Sequence, residues 1–231
     1  MAIFNVVSIF ALAAASIPVS GAAGLSKRGL AEVPAPGTPD VQAAINDWNN
    51  DVVTVNDFLN GVSDLLSDLP TLAAHAQNIV DNFAKDEPNQ LKTLHNWFIG
   101  PNTPDVPTAA FNCAFDDLAT GQVLDGETFN FDTLVIKQFT DFIIPDAQAG
   151  KADFVLSQVG EVNSYRCCNV LPDLDILWRD AAISAGFTDA DVPFSPPRPD
   201  ACASIDCSPD ITKGASTCGT QDNGRFGTPG S

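Results

Sequence analysis

Six cysteines, two histidines and a surplus of aspartates carry the chemistry this 231-residue chain could do. Cys113, Cys167 and Cys168 lie in mid-chain, and Cys202, Cys207 and Cys218 near its end. In an oxidising compartment six cysteines make three bridges, with many pairings open. Adjacent Cys167 and Cys168 have Cα atoms about 3.8 Å apart, below the span of a disulfide, so they must seek different partners. Each group holds an odd number, so at least one bridge joins body to tail. The expected arrangement pairs Cys113 with one of the adjacent two, sends the other to the tail, and closes the tail on itself. Zinc is the rival, but no CxxC repeat occurs and His75 and His95 are far from the cysteines in sequence.

Nucleophilic hydrolysis needs a base beside the nucleophile, usually an oriented histidine. His75 and His95 both fall among apolar residues at helical spacing and read as surface or core-edge residues. No GxSxG, HExxH, Walker loop, GxGxxG or calcium-loop pattern is present. Asp116 with Asp117, Asp173 with Asp175, and Asp189 with Asp191 could each supply an acid and a base in a glycosidase. None is distinguished by neighbouring Trp or Tyr, so they read as solvated helix ends, with Asp173 complementing the helix N-terminus behind Pro172. No catalytic, metal or cofactor residue is assigned, and the expectation is a non-enzymatic protein without a cofactor.

The elements that must position these residues read as helical. From Thr38-Pro39, taken as N-cap and first helical position, apolar residues recur at steps of four and three: Val41, Ile45, Trp48, Val52, Val55, Leu59, Val62, Leu66 and Leu69. Asp47, Asp51, Asp57, Asp64 and Asp68 lie off that stripe, and Pro70 ends or kinks it. Further helices are expected from Leu72 to Pro88, from Gln90 to Ile99, and after a Thr108 cap to Gly121. Asp125-Gly126 is a turn. Phe131 to Ile144 reads as helix, with a buried strand as the alternative. Pro145 opens a helix bearing Phe154, Val155, Val159 and Val162, and Pro172 opens a last one ending at Gly186. From Phe187 the prolines leave no apolar period, so this tail cannot bury its own core and needs pinning. The fold expected is all-α: a helical bundle over 38–186 with a disulfide-tethered Pro/Gly-rich tail over 187–231.

Residues 1–23 read as a secretory signal peptide: Ile3 to Ile17 is apolar, too short to span a bilayer, and followed by Pro18. Lys27-Arg28, within a leader over 24–37, looks like a kexin-type processing site. The chain is therefore expected to be secreted and extracellular, a monomer with no membrane span. A hydrophobic fraction of 45% excludes a disordered polyelectrolyte, and a formal charge of -18 argues against nucleic acid and anionic membranes. So many carboxylates repel one another at neutral pH, which favours a working environment below neutral.

Signal peptide, Lys27-Arg28 site, acidic helical body and cysteine-pinned tail together resemble small secreted effector-like proteins of filamentous fungi. The resemblance is one of layout over the whole chain. The aromatic-x-Cys motif of some such effectors has counterparts in Phe111-Asn112-Cys113 and Tyr165-Arg166-Cys167, both mid-chain rather than near the mature N-terminus. The resemblance implies a host-interaction effector or elicitor whose partner is an unknown host or cell-wall component. The layout is also similar to helical hydrophobic-surface-binding proteins of fungal walls, which would hold an apolar small molecule between helices. A carboxylate-dependent wall-polymer hydrolase is the third class in view.

Overall fold

The computed structural model describes residues 37–84, 87–100, 105–119, 122–124, 127–129, 131–207, 216 and 218. The expected signal segment, Lys27, Arg28, Gly121 and the Asp125-Gly126 turn lie outside the described residues.

Helix α1, Thr38–Leu65, buries Val41, Ile45, Trp48, Val52, Val55, Leu59 and Val62 along one stripe. Its cap is one residue earlier than expected: Gly37 is the N-cap and donates its N–H to Asp40 Oδ2 at 2.6 Å. The helix also stops short of Pro70. Asp68 caps a new helix, α2 (Leu69–Ile79), accepting from the Thr71 N–H at 3.2 Å and its hydroxyl at 2.7 Å. Pro70 thus sits in the first turn of α2, where its missing N–H costs nothing. Asp51, expected off the apolar stripe, is buried against α3 (Glu87–Ile99), where Gln90 Nε2 donates to it at 3.4 Å. Helix α4, Ala109–Ala119, starts as expected, with Thr108 Oγ1 accepting from the Phe111 N–H at 2.9 Å.

A short antiparallel hairpin follows, β1 (Gln122–Leu124) against β2 (Glu127–Phe129). Among the described residues this hairpin is the only β structure; the remaining regular elements are helical, and the fold is all-α. The ambiguous stretch from Phe131 is α5 (Phe131–Lys137), a π-helical turn (Gln138–Ile143) and α6 (Ile144–Gln148). The helix expected to run on from Pro145 is broken at Gly150, whose φ of 78° is left-handed and whose neighbour Lys151 donates back to the Asp146 carbonyl at 2.9 Å. Helix α7, Ala152–Tyr165, therefore starts afresh, and Phe154 faces solvent at 59% exposure instead of joining Val155, Val159 and Val162 in the core.

Another π turn, Arg166–Val170, joins α7 to α8 (Leu171–Ser184), which is followed by Gly186 with φ 83°; a further one, Val80–Ala84, directly follows α2. The π turns Gln138–Ile143 and Arg166–Val170 each precede a proline, Pro145 and Pro172. A proline inside a helix removes one N–H and presses its ring on the carbonyl four residues back, and a widened turn relieves that clash. Trp48 and Trp178 meet at the core centre with ring centroids 6.2 Å apart, and Phe58 packs on Phe139 at 5.5 Å.

The tail runs along α1. Gln42 Nε2 donates to the Asp191 carbonyl at 3.4 Å, Asn56 Nδ2 to the Pro197 carbonyl at 2.8 Å, and the Asp200 N–H to Asn60 Oδ1 at 3.0 Å. From position 42 to 56 a helix rises about 21 Å. Six residues of tail follow this stretch through bends at Val192, Phe194 and Ser195, met by the side chains of Gln42 and Asn56. The prolines of this stretch suit an irregular path, since they need no N–H partner.

Asn56 also accepts from Arg166 Nη2 at 3.0 Å, so one buried amide links α1, the Arg166–Val170 turn and the tail. Asn56→Ala leaves a buried guanidinium and a carbonyl short of a partner and is expected to cost about 1–3 kcal/mol in urea unfolding. Gln42→Ala, at the long and exposed contact, is expected to change stability by less than about 0.5 kcal/mol.

Candidate functional site

Each of the three cysteines of the helical body pairs with one of the tail: Cys113–Cys218, Cys167–Cys202 and Cys168–Cys207. The expected Cys113 bridge to the adjacent pair and the expected bridge within the tail are both replaced. Cys167 and Cys168 do take different partners, as their adjacency requires. Neighbours on a helical turn point about 100° apart, so each meets a different part of the passing tail.

The last described tail residues, Ser216 and Cys218, close over the junction of α4 and α8. Pro172 cannot donate to the carbonyl four residues back, that of Cys168, and the Ser216 N–H takes that carbonyl at 2.8 Å. The Ser216 hydroxyl donates to Asp173 Oδ1 and accepts from the Cys218 N–H at 3.3 Å. Asp173 is fully buried, and its Oδ2 has no partner among the described residues. Burial pushes its carboxyl well above the ordinary range, the Ser216 bond opposes this, and the charges of Asp117 and Asp175 add to it. Asp117, from α4, brings Oδ2 to 3.4 Å from Cys218 Sγ.

The carboxylates that meet here are thus Asp117 and Asp173, one from each of two sequence pairs. Asp116 instead lies near His95, whose ring stacks on Phe115 at 4.0 Å. Burial lowers the His95 pKa, with the Asp116 charge opposing, so the imidazole is neutral at pH 7. His75 is exposed on α2. Asp175 is raised by burial and held by Arg198 at 2.5 Å. Asp189 accepts from the Phe194 N–H at 3.1 Å, and Asp191 from the Thr188 N–H and hydroxyl at 2.8 and 2.7 Å, which makes both of them loop caps. Cys113, Cys218 and Asp117 bring ligating atoms within 4.8 Å of one another, but the two sulfurs are bonded together and offer no thiolate.

Among the openings elsewhere are two that border the helical body and the bridges. One, of about 310 Å³ between α1 and α2, has Phe58, Leu65 and Ile79 as its apolar lining and Asp57 and His75 among its polar residues. Gly61 also lines it, and a Cβ there would meet nothing within 4 Å, so the opening has room at that position. The other is a wide cup beside the Cys167–Cys202 and Cys168–Cys207 bridges, flanked by Arg198 and Asp200.

Sequence reasoning missed Arg166, Asn56 and Ser216. Arg166 had a signal: it continues the spacing of Val155, Val159 and Val162 toward Val170, so a charge stands where the period asks for an apolar residue. Asn56 and Ser216 had none, because their partners are distant in sequence.

The chain matches no family model, no curated protein and no solved structure.

The buried carboxyl sets a pH dependence. The folded state holds the Asp173 proton at pH values where the unfolded chain releases it, so this group's contribution to stability falls as pH rises above the ordinary carboxylate range. Asp173→Asn keeps an acceptor for Ser216 and removes the charge. Its melting temperature is expected to exceed wild type at pH 7 and to approach it near pH 3; equal melting temperatures at pH 7 would contradict the assignment.

Proposed function

We propose that this chain is a secreted, non-enzymatic protein that acts outside the cell by binding, as an effector or elicitor in contact with a host. The observation that carries the reading is that all three bridges run from the helical body to the tail. Such cross-links persist in an oxidising space, and they hold a proline-rich segment that has no core of its own. The buried carboxyl at the tail junction suits an acidic medium, where its proton is retained. The acidic groups brought together at that junction are engaged in holding the tail, which favours binding over hydrolysis.

A second reading, an apolar ligand or hydrophobic wall surface, draws support from the opening between α1 and α2. Native mass spectrometry of protein secreted by its own producer separates the two, since retained lipid supports the second reading and bare protein removes it.

The leading reading is tested by infiltrating purified, oxidised mature protein into plant leaf tissue beside Cys168→Ser. Cell death or an immune burst from wild type is expected. The variant loses the Cys168–Cys207 bridge, so it is expected to melt lower, to be cut faster by protease in its tail, and to act more weakly. Activity that survives full reduction and alkylation would refute a role for the folded, bridged protein.

A further inference from the structure

We propose that the C-terminal ends of α3 and α8 form a docking site for a basic side chain of a partner protein, an arginine or lysine with apolar residues beside it. The two ends are tied together, since Trp97 Nε1 donates to Ser184 Oγ at 3.1 Å. Beside them lies a cavity of about 210 Å³, with an apolar wall of Phe98, Val106 and Ile183 and two carboxylates, Asp105 and Asp180.

Three independent features give this cavity a preference for a cation. Helix C-termini carry partial negative charge, and neither α3 nor α8 has a basic residue in its last turn to offset it. Asp180 is 3% exposed, and its Oδ2 accepts from Thr108 Oγ1, so its carboxyl group is held in one place by a hydroxyl that also caps α4. The whole chain is strongly acidic, which draws cations and repels anionic partners.

The apolar rim points to a protein partner rather than a free amine. Val106 at 74% and Ile99 at 66% are the most exposed large apolar residues among those described, and Ile183 adds 37%. A small amine filling the cavity would leave the exposed faces of Val106 and Ile183 in water. A peptide with apolar residues on either side of its basic one would cover them. Clustered exposed apolar side chains around a polar pocket are a usual mark of a protein-binding surface. Phe154, the next most exposed, differs in having a cation of its own over the ring, Lys151 Nζ at 5.6 Å. The inference goes beyond the host-interaction reading, because the site's chemistry is the same whatever the partner's origin.

The test is a titration of ¹⁵N-labelled mature protein with an end-blocked Leu-Arg-Leu-Ile peptide, its citrulline counterpart and hexylguanidine. Asp105→Asn and Val106→Ser serve as variants. Val106 faces solvent and Asp105 is on the surface loop, so unchanged melting temperatures verify that both variants fold. The arginine peptide is expected to shift the amides of Phe98, Val106 and Ile183 saturably, and to bind about tenfold more tightly than the citrulline peptide. Each variant is expected to weaken it severalfold. Four results would overturn the proposal: no shifts at millimolar peptide, equal binding of the citrulline peptide, shifts elsewhere that ignore both variants, or hexylguanidine binding as tightly as the peptide. The last would make the cavity a small-amine site.

Discussion

Three covalent links from helical body to tail are the constraint on which the rest of the structure depends. They close loops with sequence separations of 105, 35 and 39 residues. On the chain-entropy view each alone disfavours the unfolded state by about 4–5 kcal/mol, and together by less than their sum, since each shortens the loops left for the others. The tail is also a working part of the interior. It supplies buried Val192, Pro196 and Cys218, the carbonyl that holds Asn56, and the N–H that satisfies Cys168. Removing it would expose apolar surface and leave several polar groups unpaired at once.

The prolines connect this constraint to the helices. Pro172 favours the widened Arg166–Val170 turn and cannot give the Cys168 carbonyl its usual donor four residues on. That turn carries both adjacent cysteines and the buried Arg166, and its Cys168 carbonyl is where Ser216 docks. One backbone irregularity thus organises two bridges, a buried cation and the seat of the tail. Straightening it with a residue that restores the helical N–H would compete with Ser216 for the same carbonyl.

What was legible in the sequence was what depends on neighbours in the chain. The stripe from Val41 to Val62 follows from the helical period alone, and all seven positions are buried. The Thr108 cap and the stop at Gly186 rest on local hydrogen bonding and likewise match. Boundaries at Pro70 and Pro145 were misread because a proline is compatible both with ending one helix and with sitting in the first turn of the next. Asp68 and Gly150 settle the question through a cap and a left-handed turn. The bridge pairing was illegible because it depends on the route of the tail across α1, and periodicity is silent about that route. Asp117 and Asp173 met for the same reason: α4 and α8 pack, and no spacing in the chain records it.

The distribution of charge then bears on what the surface can meet. Several of the few bases are spent inside the molecule: Arg166 is buried against Asn56, Arg198 pairs with Asp175, Lys137 with Asp141 at 2.9 Å, and Lys151 with Asp146 at 3.1 Å. Exposed pairs of this kind add little stability, but each consumes a positive charge that could otherwise face a partner. The acids outnumber them so far that the outward field is negative over most of the body. Such a field speeds the approach of cationic partners and says little about where they stop. Where they stop is decided by desolvated contact, and the apolar rim at the ends of α3 and α8 is where this surface offers it beside fixed negative charge.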